Sequence, residues 1–100
     1  MIVIGKSREI YNDKTLPSIK DNHRKLDPAI KKKVIGYLRA GRVTAASPAI
    51  LKDVFTKEPL GIALCMQTDG QYAWRSDVLY YFEKYDLDLG EEFIEHVTSR

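Results

Sequence analysis

Three side chains have the chemistry for metal ligation or nucleophilic attack, His23, Cys65 and His96, and no others of their types occur in the 100 residues. They are scattered, with neither an HxxxH nor a CxxC spacing, which argues against a metal site. His96 falls in the last turn of a periodic C-terminal segment, where an imidazole complements the helix dipole, so a capping role is expected rather than catalysis. Cys65 lies inside the apolar run Gly61–Gln67 and is expected to pack as a small hydrophobe. No serine has the strand–turn–helix setting of GxSxG, and no phosphate or dinucleotide fingerprint is present. The carboxylate pairs Glu91/Glu92 and Asp86/Asp88 fall in polar turns rather than in an apolar pocket that would tune them as acid and base. The expectation is a chain without catalytic residues, metal or cofactor, and not an enzyme.

The second concentration of chemistry is aromatic. The stretch TDGQYAWRSDVLYYFEKY carries Tyr72, Trp74, Tyr80, Tyr81, Phe82 and Tyr85 within eighteen positions. Such a cluster can stack bases, anchor a protein partner or fill a core. A stacking platform needs cations interleaved with its rings. Here the flanking charges are Asp69, Asp77 and Glu83, which would repel phosphate.

Charge is divided along the chain. Residues 1–42 carry eleven Lys/Arg against four Asp/Glu, whereas residues 43–100 carry five against ten, so a net charge of +2 conceals a basic and an acidic half. Seven of those carboxylates lie between Asp77 and Glu95, against the single cation Lys84. A split of this kind steers charged partners, unless the halves lie side by side and neutralise each other. Length fits one domain, residues 1–100, with residues 1–20 as its irregular N-terminal segment. No apolar run approaches the roughly 20 residues that span a bilayer. The opening MIVIGKSRE is too short in apolar residues for a signal peptide, and a lone cysteine suits a reducing compartment; a cytoplasmic location is expected.

These side chains are positioned by elements that the pattern makes legible. Ile2-Val3-Ile4 either adds a short strand or frays, and Leu16-Pro17-Ser18 begins a turn or short helix. Asp27-Pro28 is an N-cap followed by proline at the first helical position. Ile30, Val34, Tyr37, Leu38 and Gly41 then trace one apolar stripe, with Gly41 as a left-handed stop. Lys31, Lys32 and Lys33 cannot all point one way and read as a solvated face. Strands are expected over Arg42–Ala46 and Ile50–Phe55, broken by Ser47-Pro48, with Lys52-Asp53 in solvent. Gly61–Gln67 follows as a third. Asp69-Gly70 predicts a two-residue type I′ hairpin placing Gln67 opposite Tyr72 and Cys65 opposite Trp74. Both hairpin faces are apolar: either the hairpin is covered on both sides, or an aromatic patch remains for a partner. Ser76 is expected to cap a helix that buries Val78, Tyr81, Phe82 and Tyr85 and turns Tyr80, Glu83 and Lys84 outward. Glu91-Glu92 opens a last helix with Phe93, Ile94 and Val97 on its apolar side.

The fold class is therefore α+β: a small antiparallel meander around the Asp-Gly hairpin, one amphipathic helix from the N-terminal half and two C-terminal helices. In this order VIGYLRAG, TDGQYAW, SDVLYYFEKY and LDLGEEFIEHV resemble a group of small bacterial proteins, some of them similar to immunity proteins of contact-dependent growth-inhibition and polymorphic toxin systems. The resemblance spans roughly residues 25–97. It departs at Arg75-Ser76 and at Gly90, where a proline is commoner, though both still permit a helix start. It implies a cytoplasmic protein that binds a cognate toxin C-terminal domain, typically a nuclease (RNase, tRNase or DNase), and blocks its active site or substrate surface. Neither nucleic acid, membrane nor small-molecule substrate is an expected partner. From charge and expected exposure, the partner-binding candidates are Tyr72, Trp74, Asp77, Tyr80, Glu83, Asp86, Asp88, Glu91 and Glu92, aromatic anchors among carboxylates. The alternative is a small nucleic-acid-binding or regulatory protein that uses the basic N-terminal half.

Overall fold

Four helices and a four-stranded sheet share one core in the computed structural model, which describes residues 1–99. The strands are β1 (Ile2–Val3), β2 (Arg42–Lys52), β3 (Pro59–Thr68) and β4 (Tyr72–Arg75), in the order β1-β4-β3-β2. The helices are α1 (Arg8–Tyr11), α2 (Pro28–Arg39), α3 (Val78–Tyr85) and α4 (Glu91–Thr98). The class is α+β, but the sheet is mixed rather than antiparallel throughout. β1 lies parallel to β4, with Ile2 opposite Tyr72 and Val3 opposite Ala73. β1 precedes the hairpin in the chain and is joined to β4 only through the intervening elements, so no tight turn dictates its direction.

The N-terminal segment is more ordered than its lack of periodicity suggests. Ser7 accepts a hydrogen bond from the Ile10 amide and starts α1. The Glu9 carboxylate then accepts from the Ser18 hydroxyl at 2.5 Å and the Ile19 amide at 2.8 Å, drawing the following loop inward. Ile4, Ile10 and Ile19 are thereby buried. Helix α2 starts as expected, with Asp27 accepting from the Ala29 amide. Its end differs: the cap is Ala40 in a right-handed conformation. Gly41 is required by space instead, because a Cβ there would stand 2.4 Å from Trp74 Cζ2.

β2 is one strand, not two. Ser47-Pro48 interrupts its pairing through register shifts without ending it, which an edge strand tolerates because only one of its sides is paired. The β3–β4 pairing places Thr68 opposite Ala73 and Gln67 opposite Trp74, two residues from the type I′ expectation. The Asp69 carboxylate accounts for the shift: it accepts from the amides of Gln71 (2.9 Å) and Tyr72 (2.7 Å), making a longer side-chain-closed turn. A slip of two residues leaves every side chain on its expected face. Tyr72, Ala73 and Trp74 are all buried, so β4 is covered on both sides. α2 and α4 cover the tryptophan face, with Trp74 and Phe93 rings 5.9 Å apart and the Gln67 amide donating to the Gly41 carbonyl. On the opposite face the Arg75 guanidinium donates to the Ile10 carbonyl at the end of α1.

Ser76 does not cap α3. Its hydroxyl donates to the Ala63 carbonyl and accepts from the Cys65 amide, extending the edge of β3 past the last residue of β4. Val78, Tyr81 and Phe82 are buried as the periodicity requires. No helix among the described residues is long and apolar enough to cross a membrane.

Candidate functional site

The acidic C-terminal third presents its carboxylates in three different settings. At the start of α4, Glu91 and Glu92 are exposed and, among the described residues, pair with no cation. They stand on the rim of a groove of about 360 Å³ whose apolar lining includes Ile2, Tyr72, Leu89 and Phe93. Ile2 is 52% exposed there, a large apolar side chain left in solvent beside two unpaired carboxylates. Position follows from local structure: Gly90, at φ +91°, turns the chain into α4 and sets both glutamates in the first turn, at the positive end of the dipole. The pairing of β1 with β4 then carries Ile2 alongside Tyr72. An apolar trough ending in negative charge fits a lysine or arginine, with its aliphatic stem in the trough and its cationic head at the rim.

In the second setting the charge is already used. Asp86 is half-buried and takes Lys31 Nζ at 2.6 Å, so Lys31 belongs to an ion pair rather than to a solvated face. Glu83 is exposed, 3.6 Å from Arg39. Asp88 is half-buried and accepts from the Gly90 amide, shaping the turn into α4.

The third setting is internal. Asp77 is 2% exposed and paired with Arg75 at 3.1 Å. Burial raises its carboxyl above the usual range, against the pull of the guanidinium. Asp53, expected in solvent, is fully buried. Its carboxylate accepts from the Tyr80 and Tyr85 hydroxyls and from the Phe55 and Thr56 amides, with Lys84 3.7 Å away. Burial opposes its ionisation, yet the donors outweigh burial and hold the carboxyl well below the usual carboxylate range. The same contact pushes the Tyr85 phenol up to about 12. At the opposite end of the sheet Asp69 receives the Tyr37 hydroxyl and lies 2.8 Å from His96 Nε2, again with a carboxyl far below its ordinary value despite burial. His96 thus reaches across to the β3–β4 turn instead of serving only its own helix end.

Of the nine partner-binding candidates, the structure gathers Tyr72, Glu91 and Glu92 around one groove, and Tyr80 and Glu83 around another beside Lys84. Trp74 and Asp77 are buried and Tyr72 is 5% exposed, so these three have almost no surface to offer a partner. They sit on β4 and at the entry to α3, where both faces of the sheet are covered. Tyr80 is half-buried and its hydroxyl is committed to Asp53. Sequence reasoning missed Ile2 and Leu89 as groove walls and Asp53 as a buried hub. Asp53 did carry a signal, an aspartate heading a turn whose next amides it can accept.

No protein-family model matches this chain, and neither does any curated protein or solved structure. Among the described residues no group of His, Cys, Asp and Glu is arranged to hold a metal ion.

Proposed function

We propose that this chain is an immunity protein: a cytoplasmic binding inhibitor that covers the basic surface of a cognate toxin domain, a nuclease whose phosphate-binding cleft is rich in lysine and arginine. The observation that carries the reading is the groove at the start of α4, where Glu91 and Glu92, paired with no cation among the described residues, rim an apolar trough containing exposed Ile2. A basic side chain seated there buries its stem and meets charge at its head, and the surrounding acidity speeds its capture. Glu95, exposed on the same helix, extends that field.

The test is calorimetric titration of the chain into the toxin domain encoded beside it, with growth of toxin-expressing cells as the second readout. A nanomolar dissociation constant, about −12 kcal/mol, together with restored growth is expected. Glu91→Lys/Glu92→Lys should weaken binding by at least ~100-fold, since it removes two attractive contacts and places like charges against the partner. Absence of both binding and protection would end the immunity reading. Full binding by the double variant would keep that reading and move the interface elsewhere.

A further inference from the structure

The basic N-terminal half meets an aromatic pair at one place. Ile19, Lys20, His23, Phe55 and Tyr85 line an open groove of about 330 Å³ between the loop after α1, the β2–β3 turn and the end of α3. Phe55 and Tyr85 are half-buried, their rings meeting edge to face at 5.0 Å. Lys20 Nζ stands 5.4 Å from the Phe55 ring centre, and His23 is exposed on the same rim. Ile19, 2% exposed, backs the groove. No carboxylate lines it. Asp53, behind Tyr85, has its oxygens taken by two phenols and two amides, while Asp21 is exposed on the loop between Lys20 and His23.

Each part of this groove is held in place. The Tyr85 ring is fixed through its hydroxyl to Asp53, and Phe55 through its amide to the same carboxylate. The loop bearing Lys20 and His23 is tied at Ile19 to Glu9 and at His23 to Leu87 by a β-bridge. Rigid aromatic faces beside cations are what recognition of an unpaired nucleotide requires, a π-face for the base and positive charge for the phosphate. The flanks of Tyr72 and Trp74 are acidic and those rings are buried; at Phe55 and Tyr85 a cation, Lys20, arrives from elsewhere in the chain, with the His23 imidazole beside it as a hydrogen-bonding group.

We propose that this groove binds a nucleoside phosphate, the base against Phe55 and Tyr85 and the phosphate between Lys20 and His23. The ligand is either a free mononucleotide or one nucleotide of a single strand. The site goes beyond the inhibitor reading and does not depend on it, since it is assayed without any toxin.

The experiment is a titration of the isotope-labelled chain at low salt with adenosine monophosphate, uridine monophosphate and, separately, a six-nucleotide single-stranded RNA, followed by amide chemical shifts. Saturable shifts confined to residues 19–23, 53–56 and 85–87 are expected. Phe55→Leu, which keeps apolar volume but loses the π-face, should weaken binding roughly 10-fold. Lys20→Gln/His23→Gln, at exposed positions that leave the fold intact, should weaken it at least ~10-fold and flatten its salt dependence. Saturation by the mononucleotides as tightly as by the oligomer identifies a free-nucleotide site, whereas much tighter oligomer binding identifies a strand site. Absence of shifts in this groove at millimolar ligand would overturn the proposal. So would shifts confined to Lys32 and Lys33, or unchanged affinity in both variants.

Discussion

Asp53 accepts four hydrogen bonds, as Asp69 does, and it does so fully buried, at a position where charge would otherwise be costly. Four donors converge on two oxygens, so the ion is solvated by protein in place of water. Two of them come from the turn that joins β2 to β3 and two from α3, so one side chain fastens the ribbon to the helix. Asp53→Asn nearly preserves shape but turns an acceptor into an NH₂ facing two phenolic donors. The expected cost is about 3 kcal/mol, since bonds to a charged group are the strong ones and the phenols would lose their acceptor. Urea denaturation followed by Trp74 fluorescence measures it. A loss below ~1 kcal/mol would show that the carboxylate is incidental to the fold. Glu91 and Glu92 are the opposite case, exposed charges that complement the dipole of α4 but, among the described residues, pair with no cation.

At the scale of elements, α2 and its following turn separate two uses of glycine. Gly36 is exposed on α2, and an added Cβ would meet nothing within 4 Å. Gly36→Ala should therefore stabilise the protein by about 0.5–1 kcal/mol through helix propensity. At Gly41, five residues on, the same change drives a methyl group to 2.4 Å from the Trp74 ring and 3.2 Å from Gln67 Cβ. Gly41→Ala should cost about 1–3 kcal/mol, because neither the buried indole nor the strand can retreat. Thermal denaturation of the pair gives opposite signs; two shifts of the same sign would contradict the packing of α2 on β4. The ribbon of β2 and β3 follows another rule. β2 is exposed along most of its length, and its Pro48 and register shifts blunt an edge that would otherwise invite strand pairing.

Across the whole molecule the two charge halves meet at two described ion pairs, Lys31 with Asp86 and Arg39 with Glu83, while Lys84 beside Asp53 lies within the acidic half. Acid should expose that balance. Asp53 and Asp69 have folded-state values depressed below the ordinary carboxylate, so their contribution is present above the unfolded value of about 4 and is lost as pH falls below it. Asp77 is shifted upward by burial and acts in the opposite sense, weakening the fold as pH rises above that same value. Glu9 and Asp13 are also lowered, so four depressed carboxylates against one predict a net loss of stability on acidification, read as a falling urea midpoint from pH ~5 to pH ~2. An unchanged midpoint would mean that neither cluster matters. Much of this architecture is legible in the residues alone. Asp27-Pro28 starts α2, the spacing of Val78, Tyr81 and Phe82 orients α3, and alternation assigns the faces of the hairpin, because each is a local rule with a short period. The hairpin register is not, because Asp69 closes the turn with a side chain that sequence reads only as a turn former. Nor are the parallel placement of β1, the burial of Asp53 and Trp74, or the meeting of Phe55 with Lys20. Each depends on contacts between segments far apart in the chain, where no periodicity carries information. The order of residues determined that this chain has an acidic and a basic half; tertiary structure alone decided which carboxylates are spent inside and which, Glu91 and Glu92 among them, remain in solvent, because burial depends on contacts between distant segments.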